Sequence, residues 1–143
     1  SNTIVLGNTS ITKVSTSGEI VTTNDLTAKH IKGNSGALSI AASTGAGTSP
    51  SAVSVTGTDM SGVVALTTGT SPTVNAVLAT ITYNTAFSTA PVVVITPANA
   101  ATASLAAAQA VWVNITTTGF TINTNATAVV SSTAYKWNYV VIQ

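Results

Sequence analysis

Tyr135-Lys136-Trp137-Asn138-Tyr139-Val140-Val141-Ile142 is the stretch that decides how this chain folds. Tyr135, Trp137, Tyr139 and Val141 alternate with Lys136, Asn138 and Val140. A period of two sends one set to each side of an extended backbone, the mark of an antiparallel strand with one buried face. The same rhythm recurs upstream. Val77, Ala79, Ile81 and Tyr83 alternate with Leu78, Thr80 and Thr82, and Val111, Val113 and Ile115 with Trp112, Asn114 and Thr116. Residues 62–68, 92–96 and 120–123 complete a set of short β runs, several parted by Ser-Pro, Ala-Pro or Thr-Pro breaks. Closely spaced short strands of this kind predict a sandwich or a barrel. Residues 116–120 read as a hairpin turn. The alanine-rich segment 98–110 has the propensity for one or two helical turns, or for a loop in a β context.

Upstream of these strands the pattern changes. Residues 41–52, Ala-Ala-Ser-Thr-Gly-Ala-Gly-Thr-Ser-Pro-Ser-Ala, carry no periodicity and have the composition of a linker. Before them, residues 3–6, 10–14, 19–23, 26–31 and 37–40 read as very short strands separated by Gly-Asn, Ser-Gly and Asn-Asp turns. No strand there is long enough to bury a core alone. An intertwined shaft, with contacts supplied by neighbouring chains, accommodates that. The expected organisation is all-β and homotrimeric: a short-stranded shaft over 1–40, a linker over 41–52 and an antiparallel β-sandwich head over 53–143.

Charge is nearly absent. Charged residues make up 5% of the chain, and after Asp59 the only one is Lys136. A typical soluble domain carries about 25%. Four lysines and no arginine give no basic cluster for nucleic acid, and none for an anionic membrane surface. There is no cysteine, so no disulfide framework compensates for small size. The longest apolar stretches, 90–95 and 105–113, fall well short of the ~20 residues of a spanning helix, so membrane insertion is not expected. The first residues show no basic-then-apolar leader pattern, and the chain reads as the C-terminal piece of something longer. Neutral surfaces favour association. The expected first partner is the chain itself.

Beyond these patterns, the second half resembles the trimeric β-sandwich domain at the C-terminal tips of phage tail fibres and related structural proteins. The residues that carry the likeness are Gly57-Thr-Asp-Met-Ser-Gly62, Leu66-Thr-Thr-Gly-Thr70 and Ile81-Thr-Tyr-Asn-Thr-Ala-Phe87-Ser-Thr-Ala-Pro91-Val92. Thr96-Pro-Ala-Asn99-Ala100, Gly119-Phe-Thr-Ile122 and the closing Tyr135–Ile142 strand continue it. The order of a Phe-ended strand, Pro-Val, Gly-Phe-Thr-Ile and a terminal Trp strand is also similar to H-type lectins, six-stranded trimers that bind sugars between subunits. The resemblance implies a virion, extracellular location. It also implies host-surface attachment through multivalent carbohydrate binding. An architectural trimerisation cap of a fibre or a bacterial surface appendage, without ligand, is the alternative.

Chemistry beyond binding finds few residues to carry it. General acid–base work has only Glu19, Asp25, His30 and Asp59 to draw on, so an enzyme is not expected. No cofactor is expected either. His30, between Lys29 and Lys32, reads as a surface or packing side chain; as a metal ligand it would need three copies on a trimer axis. Asp59 reads as the holder of a turn. Among the aromatics, Tyr135, Trp137, Tyr139, Phe87 and Phe120 belong to the core or to the trimer interface. Trp112 sits on the outward side of its strand and is the ligand-contact candidate. Asn114, Asn123, Asn125 and Asn138 have amides suited to sugar hydroxyls.

Overall fold

The computed structural model describes residue 25 and residues 27–33 and 35–143. The chain divides into two units, Ser1–Ile31 and Lys32–Gln143. In the first, the described residues 25 and 27–31 are exposed and form no strand, contrary to the strand expected over 26–31. Two β-branched residues beside lysines make no ladder without a paired neighbour. The shaft strands expected at 3–6, 10–14 and 19–23 lie outside the described residues.

The second unit is all-β. Eight strands run as β1 (Ser39–Ala42), β2 (Ser51–Thr58), β3 (Ser61–Thr67), β4 (Val77–Thr82), β5 (Val92–Pro97), β6 (Trp112–Ile115), β7 (Gly119–Asn123) and β8 (Ala134–Ile142). They form two four-stranded antiparallel sheets, ordered β1-β4-β7-β6 and β2-β3-β8-β5. Among the described residues, helix is confined to one turn, α1 (Ala100–Ala103), and two 3-10 turns at Thr44–Ala46 and Ala107–Gln109. The alternation that announced β8 is realised along its whole length, with Tyr135, Trp137, Tyr139 and Val141 buried and their neighbours exposed.

One core joins the sheets. Leu78, Ala79 and Ile81 from β4 and Phe120 and Ile122 from β7 meet Val64 and Leu66 from β3 and the buried side of β8. The Phe120 ring lies 5.7 Å from that of Tyr139, which ties the first sheet to the second. Tyr83 extends the contact, 6.1 Å from Phe120 and 4.9 Å edge-on from Phe87. Each buried Leu, Ile or Phe contributes about 1.5–3 kcal/mol of transfer free energy. Thr124, wholly buried, is satisfied: its Oγ1 donates to Thr73 O (2.8 Å) and accepts from the Ala76 N–H (3.0 Å).

Residues 41–52 depart from the linker expected there. They hold the end of β1, a 3-10 turn and the start of β2, and Ala46 is wholly buried. The strand expected at 37–40 as the last of a shaft is instead the edge of the first sheet, with Ile40 opposite Ile81. The glycine and alanine content serves close packing, not looseness. A Cβ on Gly45 would run into the Val77 carbonyl of β4. β2 escaped the periodicity because it is an edge strand of Ser, Thr and Gly around Val53 and Val55, with a register shift between Ser51 and Ser54.

Candidate functional site

The outer faces of the two sheets differ in chemistry. On the first sheet, Val113 and Ile115 of β6 pack on the core, which turns Trp112 and Asn114 outward. Cross-strand register then fixes their neighbours. Trp112 lies opposite Asn123, and Asn114 opposite Thr121, which in turn faces Thr80 of β4. Thr80, Thr82, Asn114, Thr116, Thr118 and Thr121 line a groove of about 160 Å³ on this face. The Asn123 amide is buried and held by its own strand, donating to Thr121 Oγ1 at 2.9 Å. That bond leaves the Thr121 hydroxyl hydrogen free to point elsewhere. Trp112 is 54% exposed, far more than any other tryptophan or tyrosine in the described residues.

Three of the five ligand candidates therefore come together. Trp112, Asn114 and Asn123 share one face. Asn125, half-buried, lies just past the end of β7, where its carbonyl accepts from the Asn75 N–H (3.1 Å). Asn138 is on the outer face of the second sheet, between Val63 and Thr96, and cannot join the others. Alternation places Asn138 outward but does not say on which sheet. The groove threonines escaped sequence reasoning for a related reason: they are the outward members of the alternating runs, and only strand register brings them side by side.

The second sheet presents the opposite surface. Val92 pairs with Ile142 and Val94 with Val140, all four on the outer side at 65%, 63%, 50% and 46% exposure. Lys136 is the one charge on this face, at the other end of β8, and the branched aliphatics side by side form a contiguous apolar patch, which soluble monomers seldom leave bare. The signal was present in the sequence as Val140 on the polar side of an otherwise alternating strand.

The core aromatics fall inside. Tyr135, Trp137, Tyr139 and Phe120 are buried, and Phe87 packs half-buried against them. The Tyr135 and Trp137 rings stack at 5.8 Å. Asp59 holds a turn, though not its own: its carboxylate accepts the backbone N–H groups of Asn84 (2.7 Å) and Thr85 (3.0 Å), fixing the loop after β4. Its own N–H donates to Ser35 Oγ at 2.7 Å. The glycines around Asp59 make room for an aromatic. Gly57 and Gly62 pair across the β2–β3 hairpin, and a Cβ on Gly62 would collide with the Tyr139 ring. The Tyr139 hydroxyl donates there to Thr58 O at 2.7 Å.

Burial, with the Asp59 charge second, pushes the Tyr83 phenol up to about 12. Tyr139 also rises to about 12, again through burial first, then Asp59 and Tyr83. Both stay neutral at physiological pH. His30 is exposed, and among the described residues no three His, Cys, Asp or Glu side chains cluster as a metal site would require. An apolar cavity of about 230 Å³ opens beside Trp137, lined by Ile95, Pro97, Leu105 and Val111, without converging polar groups beyond Thr102. The Thr102 hydroxyl is already bonded to Asn99 Oδ1 (2.6 Å) and the Lys136 N–H (2.9 Å). Comparison with protein-family models, curated proteins and solved structures finds no match to this chain.

Proposed function

We propose that this chain is the end of a homotrimeric virion fibre that attaches to a host surface by binding, without bond-breaking chemistry. The observation that carries the reading is the Val92, Val94, Val140 and Ile142 patch, exposed on a protomer with almost no charge. Such a patch gains stability by burial against further copies, and three chains in a ring cover it without leaving an open end. The two sheets with one shared core agree with the sandwich head of fibre tips. Asp59, the buried carboxylate, is committed to two backbone N–H groups, which supports a structural role over an acid–base one. With the apolar face of the second sheet turned inward, the polar face of the first is left to solvent. Three shallow sites on one fibre, and many fibres on a particle, raise avidity by ~10²–10⁴ over a single contact.

Sedimentation equilibrium tests the assembly: a trimer mass that persists on dilution supports the reading, and a compact monomer removes it. Saturable adhesion of the labelled chain to bacterial cells tests attachment. A trimer that adheres to none of a broad strain panel and to no glycan is the architectural cap instead.

A further inference from the structure

We propose that the outer face of the first sheet is a binding site for a neutral saccharide, with the Trp112 indole as its stacking platform and Asn114, Thr121 and Thr80 as its hydrogen-bonding groups; the inference rests on the attachment reading above. A sugar ring offers an apolar C–H face and a rim of hydroxyls that both donate and accept. An exposed indole supplies the first complement. Amide and hydroxyl side chains supply the second, because each can donate and accept. Trp112 and Asn114 are two residues apart on one strand and point the same way. Thr121 lies directly across from Asn114, and Thr80 across from Thr121, so the three polar groups form a row across the strands, two residues along β6 from Trp112. The groove of about 160 Å³ that these three groups line, with Trp112 outside its lining and two residues from Asn114 along β6, has room for part of one ring.

Charge decides the class of sugar. None of the groove-lining residues is ionisable, and Lys136, the only charge after Asp59, belongs to the second sheet. A sialic acid or a uronate would bring a carboxylate to a groove whose lining holds no cation to meet it, losing hydration without return. A hexose or N-acetylhexosamine brings none. The same argument predicts binding that changes little with salt, since no ion pair is there to screen. The row also lies wholly within one protomer, so each chain carries a complete site.

The test uses the whole chain against immobilised saccharides in two groups: neutral hexose- and N-acetylhexosamine-ended, and sialylated or uronate-containing. Binding confined to members of the neutral group is expected, weakened roughly tenfold or more by Trp112→Ala, as truncation of a central aromatic contact does. Thr121→Val, which keeps the side-chain shape, should weaken it at some cost in stability, because the buried Asn123 amide loses its acceptor, whereas Asn138→Ala, on the other sheet, should leave it unchanged. Near-UV circular dichroism of each variant separates lost binding from lost folding. Binding to anionic saccharides alone, no binding to any member, or neutral binding indifferent to Trp112→Ala and Thr121→Val each overturns the site. If cells are still bound by the Trp112→Ala chain as by the parent, attachment stands and this site falls. If the parent binds no cells, attachment itself falls.

Discussion

Tyr83 and Tyr139 carry phenolic hydroxyls into the same interior, and only one of them has a partner. Tyr139 donates to Thr58 O, whereas the buried Tyr83 hydroxyl meets no hydrogen-bond partner among the described residues. Removing a bonded hydroxyl strands the carbonyl it served, at about 1–3 kcal/mol; removing an unbonded one relieves a desolvated group. Tyr139→Phe is therefore expected to lower the unfolding free energy by about 1–3 kcal/mol, and Tyr83→Phe to leave it unchanged or raise it, as urea titration reads. The two also set the alkaline limit. Their folded values of about 12 lie above the ordinary 10, so their contribution to stability is complete below pH 10. It is lost as pH rises from 10 toward 12, because the unfolded chain releases its protons first. Tyr83→Phe removes one of these proton-linked losses. Its thermal midpoint should fall less steeply between pH 10 and 12 than that of the parent.

Among the elements, α1 is fastened to β8 by a short chain of bonds. Asn99 caps α1 by accepting the Thr102 N–H (3.0 Å), and its amide donates to Ala134 O (2.8 Å). Asn99→Ala should cost about 1–2 kcal/mol, in the range of a lost N-cap, measured as a lower midpoint in denaturant. Gly45→Ala should cost more than its chemistry suggests, since the added methyl meets the backbone of β4, which cannot swing aside; a lower thermal midpoint with an unchanged far-UV spectrum is the expected result. These two positions also mark what the sequence made legible. β3 to β8 were readable because large apolar side chains recur with strand spacing and few other residues fit that pattern. β2 was not, because it is an edge strand of Ser, Thr and Gly with only Val53 and Val55 to mark it; β1 was read at 37–40 but given to a shaft, since nothing local records that it pairs with β4. The 41–52 stretch looked loose for the same reason that it packs closely: small side chains serve both ends. Trp112 and Asn114 could be placed outward from alternation alone. Their partners Thr80 and Thr121 could not, since register between distant segments is set by pairing that no local pattern records.

At the scale of the whole molecule the two outer faces divide the work: one carries the valine patch, with Asn138 and Lys136 farther along β8, and the other a row of hydroxyls and amides. If the proposed trimer forms through the valine face, one charge there should undo it while the protomer stays folded. Val94 is half-exposed on edge strand β5 and paired with Val140, so a lysine at 94 can run its stem along the sheet and keep its ammonium in water. In the protomer the exchange is nearly silent. In an assembly that covers Val94, each copy would have to desolvate an unpaired ammonium, a cost of several kcal/mol per ion that no carboxylate on β5 or β8 relieves. Val94→Lys is therefore expected to sediment as a monomer with the parent's near-UV spectrum. Asn114→Lys, exposed on the first sheet, supplies the control and should remain a trimer. A Val94→Lys chain that stays trimeric, or an Asn114→Lys chain that dissociates, moves the contact off the valine face and leaves that patch in need of another occupant.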